Sequence, residues 1–280
     1  MAVHFGRPVR LAMGIAAVAA LLAFGSGCSK LKARDNLNKG VEAFKAARYP
    51  EAVDHFKTAT DLDPEFPTAR LYLAMAYMSQ WIPGADSPDN NRFAQSALDQ
   101  FNKVLDSKPD NDSAKIATAS IASIYFNQKN FDKAIEWNKK AIALDPNAKE
   151  AYYTLGVIAW TQWISPDREA RQKLGMKPDD PGPLKDKKVR DELKVKWDPI
   201  LDEGIQDEQK AINVDPQYED AMAYMNLLIR YKADLADSPD EYKKKTEEAD
   251  NWMQKSLDTR KIKAEKKAAD DAKGIKPKPQ

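Results

Sequence analysis

The strongest constraint on this chain is a pattern that returns. Tyr49-Pro50-Glu51-Ala52, Phe56, Ala59 and Leu62-Asp63-Pro64 are echoed by Phe131-Asp132-Lys133-Ala134, Ala141 and Leu144-Asp145-Pro146. Small residues recur in each first helix and again at two fixed distances before each closing proline: Gly40, Ala52 and Ala59 before Pro64, and Ala74, Ala97 and Val104 before Pro109. Ala122, Ala134 and Ala141 precede Pro146, and Gly156, Gly204 and Ala211 precede Pro216. Such residues let neighbouring helices approach closely, while the apolar residues between them follow helical spacing and bury a continuous seam. Each proline stops a helix by removing a donor and clashing with the preceding turn. The chain therefore reads as all-α, built from stacked helix pairs rather than from the one or two globular domains that 280 residues would otherwise suggest.

These residues resemble the tetratricopeptide repeat, a helix-turn-helix unit of about 34 residues. The resemblance covers most of residues 33–260. It implies a right-handed superhelical solenoid of about five repeats. The fifth begins near Glu219 and keeps Ala249, but departs from the pattern at Asn226, Ser256 and Lys261. The last helix, from Pro239 onward, is rich in Lys, Glu and Asp, as a terminal unit with a polar outer face requires. Residues 261–280 are expected to be a charged helix end and a flexible tail.

The closing positions are unevenly spaced. Pro64 to Pro109 is 45 residues, Pro109 to Pro146 is 37, Pro146 to Pro216 is 70 and Pro216 to Lys261 is 45. The excess falls between the paired helices of repeats two, four and five, near residues 81–92, 164–197 and 232–243. Two of these insertions begin alike, at Gln80-Trp81-Ile82 and Gln162-Trp163-Ile164. A Trp where the family usually turns predicts that the first helix runs on there. Ser-Pro-Asp occurs once in each insertion, at Ser87, Ser165 and Ser238, and reads as a helix start with Ser as N-cap and Pro at the first helical position. Ser238 with Glu241 would complete a capping box. Leaving from the same kind of turn, the insertions should project from one edge. That edge, with Trp81, Trp163 and the segment 168–196, is a candidate docking surface; the alternative is that both Trp side chains pack the longer helices against their own inserts.

The amino terminus is an address. Arg7 and Arg10, with no acid before them, precede an apolar run from Leu11 to Gly25, the layout of a signal peptide. Fifteen apolar residues are too few to span a bilayer comfortably, which takes about 20. The run ends in Gly25-Ser26-Gly27-Cys28, which resembles the lipobox of bacterial lipoproteins, with Gly25 where the family prefers Leu. The resemblance implies cleavage after residue 27, a lipid anchor on Cys28, a short linker over 28–32, and a body tethered in the bacterial envelope, with the outer membrane facing the periplasm favoured by Ser29. Several acyl chains anchor stably where one does not.

In this repeat family the concave surface is lined by the first helix of each repeat. Mapped onto this chain, the resemblance implies a groove formed by Leu37, Val41 and Phe44, then Leu71, Met75 and Met78, then Ile116 and Phe126, then Tyr153, Val157 and Trp160, and finally Leu227 and Tyr231. That lining is apolar and aromatic. Members that clamp acidic peptide termini carry Lys, Asn and Arg at several of these places, so a carboxylate clamp is not expected here. An apolar segment of a partner suits the lining better.

Composition narrows the remaining choices. With 44 Lys and Arg against 43 Asp and Glu, the chain lacks the basic excess of a nucleic-acid-binding surface. One cysteine and two histidines leave little for a Cys/His zinc site or a His-based catalytic centre. His55 reads as a surface or packing residue, and no phosphate-cradling glycine pattern occurs. No cofactor or metal is expected, and the chain is read as a scaffold or adaptor for protein or peptide partners rather than an enzyme. The alternatives are a structural envelope lipoprotein without a defined client, and an enzyme with an unrecognised centre.

Overall fold

The computed structural model describes residues 28–273; the expected signal segment, and residues 274–280 of the expected tail, lie outside them. The described residues form ten α-helices and one short 3-10 turn, with no strand. None of these helices is long and apolar enough to cross a membrane. Cys28 is exposed. The chain divides into two compact modules, one ending at Lys129 and the other beginning at Asn130.

The first module contains α1 (28–45), α2 (Tyr49–Leu62), α3 (Pro67–Gln80), α4 (Pro88–Asp106) and α5 (Asn111–Asn127). Helix α3 lies against α2 and α4, and α4 against α5. Ala43, Ala52, Phe56, Leu73 and Ala76 form one core cluster, so the small residues of the pattern do sit where helices meet. Ser87 caps α4 as its Ser-Pro-Asp predicts, its hydroxyl accepting from Asn90 N at 3.2 Å. The insertion before it is short and knotted. Asn90, buried, accepts from Ile82 N at 2.7 Å and donates to the Ile82 and Ala85 carbonyls at 2.9 and 2.8 Å. Helix α3 does not run on through Trp81, contrary to expectation: Pro83 restricts the residue before it, and Gly84 turns with φ of 80°.

The second module contains α6 (Phe131–Leu144), α7 (Lys149–Lys173), α8 (Lys187–Val214), α9 (Glu219–Lys232), the 3-10 turn Ala233–Leu235 and α10 (Pro239–Ala272). Helix α7 lies against α6, α8 and α9, and α10 against α9. Here the first helix does run on past Trp163, and the reading of Ser165 as a helix start fails. Pro166 sits inside α7. An interior proline costs a helix about 3 kcal/mol, and the packing of Trp163 and Ala170, both buried in a core cluster, works against that cost. The insertion near 164–197 is thus mostly helix: it lengthens α7 and α8 and leaves a loop only from 174 to 186.

That loop is folded onto the helices that carry it. Met176 and Leu184 join Trp163, Trp197, Leu201, Leu228 and Leu235 in a core cluster, with the two indoles 5.5 Å apart. Gly182 packs so closely on Asp234 and Tyr242 that a Cβ there would overlap both side chains. Leu184 N donates to the Asp234 carbonyl at 2.9 Å, and Lys194 pairs with Asp237. The insertions of repeats four and five therefore do meet, within this module. Ser238 caps α10 by accepting from Glu241 N at 3.2 Å, while the Glu241 carboxylate accepts from Asp237 N at 2.8 Å, one residue earlier than a standard capping box. Replacing Ser238 with Ala is expected to destabilise the module by about 1 kcal/mol, whereas Ser165→Ala, on an exposed helical position, should leave the thermal midpoint unchanged. Melting both variants by circular dichroism checks the contrast.

Candidate functional site

The groove residues expected from the sequence fall in both modules, and each set is described by itself. In the first module Leu37, Val41 and Phe44 of α1 are half-buried and pack on the Phe56 cluster. Phe44 makes edge-on contacts with Tyr49 and Tyr72, at centroid distances of 5.4 and 6.4 Å. Met75, Met78 and Phe126 are half-buried. Ile116 is exposed at 43%. Leu71 is only 6% exposed and belongs to the core, not to a lining. These side chains support the first module's own packing more than they form a common face.

The second module is different. Tyr153 and Trp160 on α7, Tyr224 and Tyr231 on α9, and Tyr218 just before α9 form an unbroken ladder of rings. Centroid distances run 5.2 Å from Tyr218 to Tyr153, 5.4 Å on to Tyr224, 5.8 Å on to Trp160 and 6.1 Å on to Tyr231. The last three contacts are edge-to-face, the geometry that the quadrupole of an aromatic ring favours. Every ring is half-buried, so each keeps some surface for a partner. Burial holds the Tyr153, Tyr218 and Tyr224 hydroxyls protonated by raising their pKa above the ordinary phenol value. They can donate hydrogen bonds throughout the physiological range. The Trp160 indole N–H is buried and has no partner within the chain.

Helical spacing explains the ladder. Positions 153, 157 and 160 share one face of α7, as 224, 227 and 231 share one face of α9. The two helices lie side by side, so the faces merge. The sequence reading placed Tyr153, Trp160 and Tyr231 here, together with Leu227, which is half-buried. It also named Val157, which is 6% exposed and sits beneath the rings instead of among them. Tyr218 and Tyr224 were missed, because counting fixed positions within a repeat passes over the residue before the helix and the outer edge of its face.

Under the ladder lies an acid. Eight residues before the closing prolines Pro64, Pro109 and Pro216 stand Phe56, Phe101 and Glu208, and all three are fully buried. Glu208 therefore fills a core slot that the first two repeats give to phenylalanine and the third to Asn138, which is also buried. Gly156 makes the room: a Cβ there would overlap the carboxyl group, just as one on Gly40 would overlap Phe56. Neither Glu208 oxygen has a hydrogen-bond partner. Burial first, and then the Asp207 carboxylate, push its pKa up to about 10, so it is a neutral acid at pH 7.

The two Trp side chains expected on the insertion edge are not available for docking. Trp163 is fully buried, its indole donating to the Tyr231 carbonyl at 3.3 Å, and Trp81 is 8% exposed. Trp163 packs against its own insertion, in the cluster that holds Met176 and Leu184. His55 is part-buried, 3.4 Å from the Asn36 side-chain oxygen.

Comparison with known proteins agrees with this architecture. Models of the tetratricopeptide repeat match residues 37–112 and 122–162. The chain carries tetratricopeptide repeats. Among solved structures, this repeat protein is similar to a crystal structure of MamA, with 18% identity and a TM-score of 0.54 over 84% of this chain and 94% of that one. It is also similar to residues 41 to the end of MamA from Desulfovibrio magneticus RS-1, with 17% identity and a TM-score of 0.55 over 82% and 96%. At such identities the likeness establishes the all-α repeat fold. A search of curated proteins by sequence found no match. Tetratricopeptide repeats are protein-interaction scaffolds, typically without catalytic activity.

Proposed function

We propose that this chain is an envelope lipoprotein that serves as a protein-interaction scaffold, holding an apolar segment of a partner against the aromatic ladder of α7 and α9. The ladder carries the reading. Five half-buried rings in register present a long apolar face edged with tyrosine hydroxyls. Tyr and Trp supply large contact area with little side-chain entropy to lose, which is why they dominate binding hot spots. The location rests on the basic and apolar residues before Cys28 and on the Gly25-Ser26-Gly27-Cys28 ending.

Selection of random peptides on the purified chain tests the scaffold role. Enriched peptides are expected to carry spaced aromatic or aliphatic anchors, each contributing about 1.5–3 kcal/mol. Trp160→Ser combined with Tyr224→Ser should weaken them at least tenfold in a chain that stays folded, with a lowered thermal midpoint but an unchanged far-UV circular dichroism spectrum at about 25 °C. Peptides that bind the double variant as well as the wild type would remove the ladder from the reading. For the anchor, cells fed a labelled fatty acid should label the wild type and not Cys28→Ala; equal labelling of both would place the lipid elsewhere.

A further inference from the structure

At the Tyr231 end of the ladder the surface opens into a cavity of about 260 Å³, walled by the end of α7, the 178–180 loop, the 3-10 turn and the start of α10. Its deepest charged group is Asp167, which is fully buried and has no hydrogen-bond partner on either carboxylate oxygen. The nearby guanidinium gives it no hydrogen bond. Arg171 directs Nε and Nη2 to Asp234, at 2.8 and 2.6 Å, and Nη1 to the Lys177 and Asp180 carbonyls, at 3.2 and 3.0 Å. Its Nε, already given to Asp234, stands 3.6 Å from Asp167 Oδ2, close enough for an ion pair but not for a hydrogen bond. Arg230, on another wall, is paired with Asp250, and the Asp180 carboxylate accepts from Lys177 N. Arg168 and Asp179 are exposed, with opposite charges. The cavity thus holds one deep acid that has a guanidinium at 3.6 Å but no hydrogen bond, with Tyr231 and Tyr242 among the residues that line the same space.

We infer that this cavity receives a basic side chain, the ammonium of lysine or the guanidinium of arginine, from the partner segment lying on the ladder. A cation there would meet the Asp167 carboxylate directly and the two tyrosine rings by cation–π attraction. Among the described residues no group of three or more His, Cys, Asp or Glu side chains is arranged to hold a metal ion, so the cation is an organic one. Without such a charge Asp167 behaves as an acid: burial, and next the Asp234 carboxylate, push its pKa up to about 8. A guest cation takes the place of that proton.

The inference rests on the ladder reading only for where the rest of the partner lies, and the test separates the two. The probes are N-acetyl-lysine methylamide, its uncharged norleucine counterpart and free 1,5-diaminopentane, each titrated into the full chain while the Tyr231 and Tyr242 ring resonances are followed. The lysine compound is expected to shift both rings at millimolar concentration and the norleucine compound to leave them in place. Asp167→Asn should weaken the lysine compound at least tenfold. Trp160→Ser with Tyr224→Ser, which removes the ladder, should not. Equal binding of lysine and norleucine compounds would overturn the proposal, and that comparison needs no variant. Undiminished binding to Asp167→Asn would overturn it as well, and binding of the diamine alone would exclude a partner's side chain in favour of a free amine.

Discussion

Replacing Asp234 with Ala is expected to destabilise the second module by about 3–5 kcal/mol, the range for stripping one partner from a buried ion pair. The residue is 3% exposed, and its carboxylate accepts Arg171 Nε and Nη2, while its backbone carbonyl accepts Leu184 N. Alanine keeps the backbone bond and removes the carboxylate that Arg171 hydrogen-bonds, leaving the guanidinium only the Asp167 carboxylate, 3.6 Å from its Nε. Breaking the pair from the other side, with Arg171→Met, should cost a similar amount, because a buried carboxylate is then stranded beside Asp167. Replacing both at once, Arg171→Met with Asp234→Leu, should recover much of the loss, since an apolar pair of similar volume can do as well as a buried salt bridge. Guanidinium unfolding monitored by far-UV circular dichroism reads all three variants. A single Asp234→Ala variant within about 1 kcal/mol of wild type would show that the pair does not hold the insertion loop to the 3-10 turn.

The second large effect concerns Glu208 and runs in the stabilising direction. Its folded-state pKa of about 10 lies above that of an ordinary glutamate, and Asp167, at about 8, behaves alike. For an acid shifted upward, the folded chain keeps a proton that the unfolded chain has lost. Stability from these groups is therefore complete in acid and falls as pH climbs from about 4 toward the folded-state values, at about 1.4 kcal/mol per pH unit for each group. Glu208→Met keeps a straight chain in the Gly156 recess and removes both the ionisation and the unpartnered oxygens. It is expected to raise the unfolding midpoint at pH 5 slightly and at pH 8 strongly. Parallel profiles for wild type and Glu208→Met across that range would mean that the acid is solvated in the folded state.

Much of this molecule was legible before its structure. The small residues and closing prolines named the helix pairs, Ser87 and Ser238 announced two helix starts, and repeat register placed Tyr153, Trp160 and Tyr231 on the face they occupy. What escaped has a common physical origin. Ser165-Pro166-Asp167 carries the same local signal as the other two, but side chains distant in sequence, Trp197 and Asp234 among them, surround α7 there and carry the helix through its proline. Helix propensity is a weak prior that tertiary packing overrides. Glu208 and Asp167 were invisible for a related reason. A carboxylate on a helix reads as solvent-facing, and only the recess at Gly156 and the burial of α7 behind the insertion loop show otherwise.

The folding of the 174–186 loop onto Trp163 and Trp197 changes how a deletion here should be read. Cutting out residues 167–195 looks, on the sequence, like trimming an ornament from a repeat. In the folded chain it would take away Asp167, Arg171, Met176 and Leu184 together, open one of the second module's core clusters to water and strand Asp234. Loss of partner binding after that excision would then report a collapsed scaffold and say nothing about where the partner sat. Dissection of this protein is better done with single side chains, or at the junction of Lys129 and Asn130 where the two modules divide.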